Sequence, residues 1–517
     1  MKNVVFLIFL SSNPLFVVMI FLYWTLLFLL SIYGIHRLHI LYLVATTNPV
    51  DEKESDARPN VVVQIPIFNE RFVAKRIIQS CANLDWPKKR LWIQVLDDST
   101  DDTTSIISTL VLELQKQGYN IELRHRNERK GYKAGALKEG LEVIQNRVDV
   151  EYVAIFDADF IPHQDFLQRS LSYFEDKNVG MVQSRWDHIN RYENFLTCWS
   201  AILLDGHFVL EHSARFQSGR IFNFNGTAGV WRIEAISDAG GGEHDTITED
   251  LDLSYRSAMR GWNFIYLPQN IAPAELPATV KSFTAQQNRW AKGTMQVAKK
   301  LLVPLWKSNV SLKAKIEGSI HFTNNIAYPL TALLIALMPI TAPIRNYSWF
   351  DGVIFICTCA SVAVFYATAL WRIDLLKQNQ NWLHIFPTLA LGVGMTFRQS
   401  LAVFQGLFTN DRHFVRTPKK GIMDNNISKY LSSLPVGQFS YVAIFEVIFA
   451  SYCLYQSLLL FDLALYGSIP FLLLFSFGFY FVGVGSIWEY FGHIWIQNAR
   501  RNQKVTVSFD KNLPKHP

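Results

Sequence analysis

Long apolar runs constrain this 517-residue chain more than any other feature. The first, "LFVVMIFLYWTLLFLLSIYGI" (Leu15 to Ile35), has the length and composition of a helix that crosses a bilayer. It is too long for the apolar core of a signal peptide, and no small-residue cleavage site follows it, so we expect a retained anchor. Further apolar runs lie near residues 320–343, 352–371, 384–407, 438–461 and 467–491. The sequence therefore predicts an integral, multi-pass membrane protein that contacts the lipid bilayer.

Basic segments between these runs predict the orientation of the chain. The segments 372–378 ("RIDLLKQ") and 411–421 ("DRHFVRTPKKG") are basic, which is typical of cytoplasmic loops. The run between them then has both ends on one side, so we expect residues 384–408 to be interfacial or re-entrant. About five spans remain, which places the large segment 50–318 in the cytoplasm. The pattern fits a plasma or inner membrane and a Golgi membrane equally well.

The segment between the first and second apolar runs has a different pattern. Five short runs rich in β-branched and aromatic residues predict strands: "NVVVQIPIF", "LWIQVLDDS", "IELRHR", "EYVAIFDAD" and "VGMVQSRW". Helical segments of mixed polarity separate them, which predicts an α/β fold with a mostly parallel twisted sheet and helices on both faces. The expected organisation is a transmembrane helix at 1–45, a cytoplasmic domain at 50–292, an interfacial amphipathic helix at 293–318, a transmembrane bundle at 319–495 with an interfacial helix (384–408) and a loop (411–435), and a cytoplasmic tail at 496–517.

Charge and cysteine content exclude two classes of protein. A net charge of +6 is small for this length, so no nucleic-acid partner is expected. The five scattered cysteines form neither a disulfide framework nor a paired zinc motif. We therefore expect the soluble part to lie in a reducing compartment.

Acidic pairs follow two of the predicted strands, at the edge where open α/β sheets bind ligands. Asp97 and Asp98 in "VLDDSTDDT" could bind a ligand. The alternative is a helix-capping segment, because Ser99, Thr100 and Asp101 are good N-caps for the next helix. Asp157 and Asp159 in "IFDAD" are two residues apart, so on an extended chain both carboxylates point the same way. That spacing suits Mg²⁺ or Mn²⁺, although a solvated turn is the alternative.

Two further motifs lie downstream. Glu249 and Asp250 in "TED" could favour a helix N-terminus, or one of them could act as a general base on a hydroxyl group. Gln286, Arg289 and Trp290 in "QQNRW" share one helix face. Arginine can pair with a diphosphate and tryptophan can stack on a sugar ring, but both residues are also typical anchors at a membrane interface.

Two glycine-containing loops complete the candidates. The loop "ERKGYKAGALKEG" (residues 128–140) places glycines beside Lys133, which would suit contact with phosphate. The loop "FNFNGTAGVWR" (residues 222–232) carries Asn225, Gly226 and Thr227 and could contact a ligand or form a turn.

The order of these motifs is more specific than any one of them. Read as "IPIFNE", "DDSTD", "KAGAL", "DAD", "FNGTAGVWR", "TED" and "QQNRW", the order closely resembles the membrane-bound family 2 glycosyltransferases over about residues 61–300. The likeness is nearest to the cellulose synthase-like A branch, the glucomannan 4-β-mannosyltransferases. It implies a GT-A fold, a Mg²⁺ or Mn²⁺ cofactor, and inverting transfer of a hexose from GDP-mannose or UDP-glucose to a growing β-linked polysaccharide.

The resemblance also implies roles for single residues. The donor would be bound by Glu70, Asp97, Asp98, Lys133 and Asp157. The metal would be held by Asp157 and Asp159, and the catalytic base would be Asp250 beside Glu249. The acceptor and the diphosphate would be bound by Gln286, Arg289, Trp290, Asn225, Gly226 and Thr227. The segment "FVRTPKKG" (residues 414–421) is similar to a gating segment of cellulose synthases, with Arg416 where that pattern has valine.

Two alternative functions remain open from the sequence. The acceptor could be a membrane lipid that receives a single sugar. The chain could also be a transporter with a degenerate, non-catalytic module, because acidic residues in apolar runs often mark a polar pathway. The candidates for such residues are Glu446, Asp462 and Glu489. The segment "AKGTMQ" after "QQNRW" departs from the "SCGP" of plant members, which leaves the sugar and the linkage open.

Overall fold

The computed structural model describes residues 14–47, 53–342, 353, 356–411, 419, 421 and 439–511. Most of the loop expected at 411–435 therefore lies outside the described residues, as do residues 512–517 of the expected tail.

A seven-stranded sheet forms the centre of the large segment. Its strands are β1 (Val61–Ile67), β2 (Leu91–Asp97), β3 (Asn120–His125), β4 (Tyr152–Ile155), β5 (Val179–His188), β6 (Gly229–Arg232) and β7 (Asn263–Ala274). They are arranged in the order β3-β2-β1-β4-β6-β5-β7. Strand β6 runs antiparallel to β4 and β5, whereas the other pairings are parallel. The predicted mostly parallel sheet is confirmed.

Helices cover both faces of this sheet, as its alternating buried residues require. One face of β1 (Val61, Val63) packs against α2 (Ala74–Ala82) and α3 (Thr103–Lys116). On the other face, Val62 belongs to a cluster formed with the helices α4 (Tyr132–Gln145), α8 (Ile233–Asp238) and α9 (Glu249–Met259). The shorter helices α5 (Phe166–Leu171), α6 (Phe195–Asp205) and α7 (Ser213–Gln217) complete the domain.

Strands β6 and β7 are absent from the sequence prediction, for different reasons. Strand β6 has four residues and lies within a segment interpreted as a loop. Strand β7 contains Pro268 and Pro273, which argue against a strand because proline lacks an N–H for the ladder. Its position at the edge of the sheet makes both prolines tolerable.

The second half of the chain is helical. Its helices are α10 (Val280–Lys307), α11 (Leu312–Thr323), α12 (Ala327–Thr341), α13 (Ser361–Arg372), α14 (Ile385–Gly394), α15 (Thr396–Phe408), α16 (Tyr441–Asp462) and α17 (Ile469–Lys511). The N-terminal run forms α1 (Pro14–Thr46). All five cysteines are free.

Four stretches in the described residues are long and apolar enough to cross a membrane. They are Pro14–Thr46, Leu312–Thr341, Tyr441–Asp462 and Tyr466–Trp495. The fifth predicted span, near 352–371, falls partly outside the described residues. The span count and the orientation therefore remain predictions.

Two expected interfacial helices have different bounds in the structure. The segment 293–318 is not one helix, because α10 starts at Val280 and ends at Lys307, and α11 begins after Ser311 accepts a hydrogen bond from the Ala314 N–H at 3.3 Å. The segment 384–408 is divided at Met395 into α14 and α15. Because Gly394 lies against the backbone of Gly478, α14 packs closely on α17.

Candidate active site

A cavity of ≈ 210 Å³ lies at the carboxyl ends of β1, β2 and β4. We call it the active-site cavity. Twelve of the fourteen residues singled out from the sequence line it: Glu70, Asp98, Lys133, Asp157, Asp159, Asn225, Gly226, Glu249, Asp250, Gln286, Arg289 and Trp290. Asp97 and Thr227 are not among its lining residues. The fold thus brings together residues that are up to 220 positions apart in the chain, from Glu70 to Trp290.

The two aspartates after β2 have separate environments. Asp97 is fully buried, and its carboxylate accepts hydrogen bonds from Thr104 Oγ1 at 2.7 Å and the Ser99 N–H at 3.0 Å. Asp98 reaches the cavity and accepts a two-bond pair from Arg126, both bonds at 2.7 Å. Asp97 is therefore held inside the domain, and Asp98 is the member of the pair that can contact a ligand. Of the expected capping residues, Asp101 accepts the Thr103 N–H at 3.0 Å through Oδ1 at the start of α3.

Each carboxylate of the "DAD" motif faces a lysine. Asp157 Oδ1 accepts from Lys133 Nζ at 2.5 Å, and Asp159 Oδ2 lies 2.7 Å from Lys419 Nζ. Burial alone would lower the pKa of Lys133, but facing carboxylates, Asp157 first among them, outweigh burial and raise it. Both carboxylates line the cavity, and carboxylate oxygens are ligands that Mg²⁺ and Mn²⁺ prefer, so these residues fit a divalent cation.

Glycine is required in the loop before β6. Gly226 has φ of +78°, and an added Cβ would lie 3.0 Å from Asp250 Oδ2. Its carbonyl accepts from Lys133 Nζ at 2.9 Å. The next residue, Thr227, is buried and accepts from the Asp157 N–H at 2.8 Å through Oγ1. Thr227 thus holds the "DAD" strand end and lies away from the cavity surface.

The "TED" carboxylates lie at the first turn of α9. Burial, and then the charge of Asp250, raise the pKa of Glu249. Burial also raises the pKa of Asp250, against the opposing effect of Lys133. A raised pKa makes a carboxylate a stronger base, so Asp250 has the position and the environment of a proton acceptor.

The "QQNRW" residues lie on α10, which crosses the border between the two halves of the chain. The first N–H groups of α10 donate to Glu489 of α17, from Val280 at 2.6 Å and from Lys281 at 2.9 Å. Gly293 approaches the "TED" segment so closely that an added Cβ would lie 2.5 Å from Thr248 Cγ2. The helix therefore fixes the distance between the membrane helices and Asp250.

Three further lining residues, Arg129, Glu275 and Lys419, were not among the predicted site residues, although Lys419 lies in the segment 414–421 singled out from the sequence. Arg129 stacks on Phe68, with the guanidinium carbon 3.3 Å from the ring centroid, and lies 3.8 Å from Asp98. Glu275 and Lys419 bind each other, because Lys419 Nζ donates to the Glu275 carbonyl at 2.6 Å. Arg129 belongs to the basic loop that the sequence already flagged, whereas Glu275 follows the unpredicted strand β7 and carried no signal.

A separate acidic cluster, Glu243, Asp245 and Asp252, has metal-ligand spacing. Lys300 Nζ occupies its centre, at 2.6, 2.9 and 2.9 Å from the three carboxylates. Lys292 is likewise buried and pairs with Asp411 at 2.6 Å. These lysines hold α10 against its neighbours, and the acidic cluster is an ion-pair network.

Two further cavities extend from the active site towards the membrane helices. A connecting cavity of ≈ 320 Å³ shares Asn225, Asp250 and Trp290 with the active-site cavity. A membrane cavity of ≈ 650 Å³ lies among the apolar helices and shares Asn325 and Tyr328 with the connecting cavity. Neighbouring cavities in this series thus share lining residues, from the acidic pairs to the helix bundle.

Two of the three acidic residues in apolar runs have structural partners among the described residues. Glu446 is fully buried and forms two 2.8 Å bonds with Arg398. Glu489 caps α10, and Asp462 is exposed at the end of α16. None of these three is among the lining residues of the active-site, connecting and membrane cavities.

A twisted α/β sheet with paired carboxylates at its carboxyl edge and an arginine–tryptophan helix closing the cavity defines a GT-A-like glycosyltransferase domain. Residues 59–293 match the family model described as "Glycosyltransferase like family 2". The chain therefore contains a family 2 glycosyltransferase domain.

The chain is also similar to named mannosyltransferases. The chain is 39% identical over 352 residues to a probable glucomannan 4-beta-mannosyltransferase 11 of Oryza sativa subsp. japonica, covering 65% of this chain and 61% of that protein. It is 44% identical over 259 residues to glucomannan 4-beta-mannosyltransferase 2 of Arabidopsis thaliana, covering 49% of this chain and 48% of that protein. The matches thus span about half to three fifths of the relatives' own lengths.

A solved structure has the same fold. The mannosyltransferase PcManGT from Pyrobaculum calidifontis, in complex with GDP-Man and Mn²⁺, aligns with a TM-score of 0.50 at 18% identity. The alignment covers 77% of this chain and 99% of that one.

Proposed function

We propose that this protein is an inverting, metal-dependent hexosyltransferase that extends a β-linked polysaccharide from a nucleotide sugar. The observation that carries the proposal is the convergence of Asp157, Asp159, Asp250 and Arg289 on one cavity. These residues supply a cation site, a base and a diphosphate partner within reach of one another. The names of the relatives support a β-1,4-linked mannan or glucomannan as the product. The GDP-Man bound in the structural neighbour supports GDP-mannose as the donor.

The proposed chemistry is a single displacement at the anomeric carbon. Asp250 takes the proton of the attacking hydroxyl as the new glycosidic bond forms. Arg289 and Lys133 lie on the same cavity and stabilise negative charge on the departing diphosphate. Trp290 offers an aromatic face for the acceptor sugar. The chain needs no covalent nucleophile for this reaction, because one displacement inverts the anomeric centre.

A divalent cation would be held by Asp157 and Asp159 and would offset charge on the leaving group. Mn²⁺ is present in the structural neighbour and supports this assignment. Purified protein stripped with EDTA should lose transfer, and Mn²⁺ or Mg²⁺ should restore it. Full activity in EDTA after dialysis would contradict the metal requirement.

We further propose that the product leaves through the membrane half, with the glycosyltransferase domain in the cytoplasm. The supporting observation is the series of cavities from Asp250 into the helix bundle. Amide and phenol groups such as Asn324, Asn325 and Tyr328 line the join between the connecting and membrane cavities. Such groups suit the hydroxyls of a glycan better than they suit an acyl chain.

The decisive experiment incubates the purified full-length protein in nanodiscs with labelled GDP-mannose or UDP-glucose. Linkage and length analysis of the product follows. A β-linked polymer made from GDP-mannose supports the proposal. A single-sugar glycolipid would replace it with lipid glycosylation, and absence of donor turnover with every metal would favour the non-catalytic transporter.

A further inference from the structure

The helix α6 continues past Asp205 as a π turn, Gly206–His212. In an α-helix, residues five apart lie roughly 140° apart around the axis. A π turn has hydrogen bonds between residues five apart, which aligns them on one side. His207 and His212 are such a pair, and their ring centroids lie 4.4 Å apart. The π turn therefore presents two imidazoles to the same neighbour.

That neighbour is Asn225, whose carboxamide both rings bind. His212 Nε2 lies 2.6 Å from Asn225 Oδ1, and Asn225 Nδ2 lies 3.2 Å from His207 Nε2. His207 Nδ1 lies 2.9 Å from Glu211 Oε2. The main chain of Asn225 is fixed as well, since its N–H donates to Gln183 Oε1 at 3.0 Å.

These contacts determine the direction of every hydrogen bond. A carboxylate such as Glu211 only accepts, so His207 donates from Nδ1 and its Nε2 accepts from the Asn225 amide. Asn225 Oδ1 then accepts from His212. One of the two amide hydrogens of Asn225 is used by His207, and the described residues supply no acceptor for the other.

The remaining amide hydrogen belongs to a residue that faces the reaction. Asn225 lines both the active-site cavity and the connecting cavity, as does Asp250. The adjacent Gly226 lies so close to Asp250 that a Cβ added to Gly226 would be 3.0 Å from Asp250 Oδ2. Asn225 and Asp250 therefore line the same two cavities, and an acceptor hydroxyl would meet both there.

We propose that Glu211, His207 and His212 are positioning residues that orient the Asn225 carboxamide, so that its free N–H donates to the attacking oxygen of the acceptor sugar. This inference rests on the proposed function. The orientation matters because a donated N–H leaves the hydroxyl proton for Asp250. A reversed carboxamide would present its oxygen, accept that proton in a hydrogen bond and compete with the base.

The test compares His207→Leu with His207→Gln in full-length protein, using GDP-mannose as donor and a β-1,4-mannohexaose as acceptor. The side-chain oxygen of glutamine can accept the Asn225 N–H as Nε2 does, whereas leucine cannot. We expect His207→Leu to lower kcat for transfer roughly tenfold, the effect of about one hydrogen bond, and to leave donor hydrolysis and donor KM unchanged. We expect His207→Gln to retain transfer within about threefold. The proposed positioning of Asn225 would be wrong if both variants lost the same fraction of transfer activity. It would also be wrong if transfer and donor hydrolysis fell together.

A double variant separates positioning from simple structural damage. Asn225→Asp removes the donating N–H, so adding His207→Leu to it should cause no further loss of transfer. Additive losses would show that His207 acts by another route and would overturn the inference. Failure of the proposed function has a different signature, because wild-type protein would then turn over no donor. If the wild type is active and His207→Leu transfers sugar at the wild-type rate, the positioning of Asn225 is refuted and the proposed function is not.

Discussion

The active-site cavity and the membrane cavity belong to one series but differ in lining. Paired charges surround the smaller active-site cavity of ≈ 210 Å³, with Asp157, Asp159, Glu249 and Asp250 on its surface. Aromatic, amide and aliphatic groups line the larger membrane cavity of ≈ 650 Å³, and Arg37 is the single charged residue among its described lining residues. The two regions therefore suit different tasks.

The difference follows from what each task demands of electrostatics. Bond cleavage needs fixed charges aimed at developing charge. Passage of a product needs contacts that are favourable enough to admit it and weak enough to release it. Charged side chains in the membrane half instead pair with each other, as Arg398 does with Glu446. Four substitutions test this division of labour.

The largest effect is expected from Asp250→Asn. Loss of a general base removes roughly 10²–10⁴-fold of the rate, and asparagine keeps the size of the side chain. GDP release in the presence of acceptor should fall by that factor, with donor binding by calorimetry retained. Asp165→Asn is the control, because Asp165 lies outside the cavity and its ion pair with Arg169 is exposed to solvent. If the Asp250→Asn variant turned over donor at the wild-type rate, the catalytic task assigned to the active-site cavity would be wrong.

A large effect on stability is expected from Glu446→Gln in the membrane half. Removing one partner leaves the Arg398 guanidinium buried without its carboxylate, which costs about 3–5 kcal/mol. The melting temperature in detergent should fall. The double variant Arg398→Met/Glu446→Leu should recover most of it, because an apolar pair needs no charge compensation. A double variant as unstable as the single one would show that the charges serve more than packing.

An intermediate effect is expected at the contact between the two halves, from Gly293→Ala. The added Cβ would meet Thr248, and overpacking of this kind costs about 1–3 kcal/mol. We expect lower transfer and lower thermal stability. Thr248→Ala in the same chain removes the opposing atoms and should restore both. Unchanged transfer in Gly293→Ala would mean that α10 does not set the position of the "TED" segment.

The smallest effect is expected from Asn325→Leu at the join of the connecting and membrane cavities. Losing one hydrogen-bonding group on the proposed glycan path should change release by about fivefold or less. The length distribution of the polymer should shift, while initial GDP release stays near that of wild type. Equal changes in both measurements would place Asn325 in catalysis and weaken the contrast between the two cavities.

Sequence reasoning reached most of the candidate site because its residues sit at ends of regular elements. Asp98, Asp157 and Asp159 follow strands that can be recognised in the sequence as runs of β-branched residues. Parallel strands bring their carboxyl ends to one edge of the sheet, where these residues line the cavity. Gln286, Arg289 and Trp290 share a face by helical spacing alone. Five of seven strands were predicted on the same grounds. Strand β6 was missed because it has four residues inside a segment interpreted as a loop, and β7 was missed because it contains two prolines.

Local sequence alone determined that this chain combines membrane helices with an α/β domain and carries the motif order of family 2 glycosyltransferases. The tertiary structure determined which side chains form hydrogen bonds and ion pairs with each other. It separated Asp97 from Asp98, gave Lys300 to the acidic cluster, and aligned His207 with His212 on Asn225. The physical reason is that periodicity and propensity act over a few residues, whereas a hydrogen bond or an ion pair depends on distances that only packing between remote elements can fix.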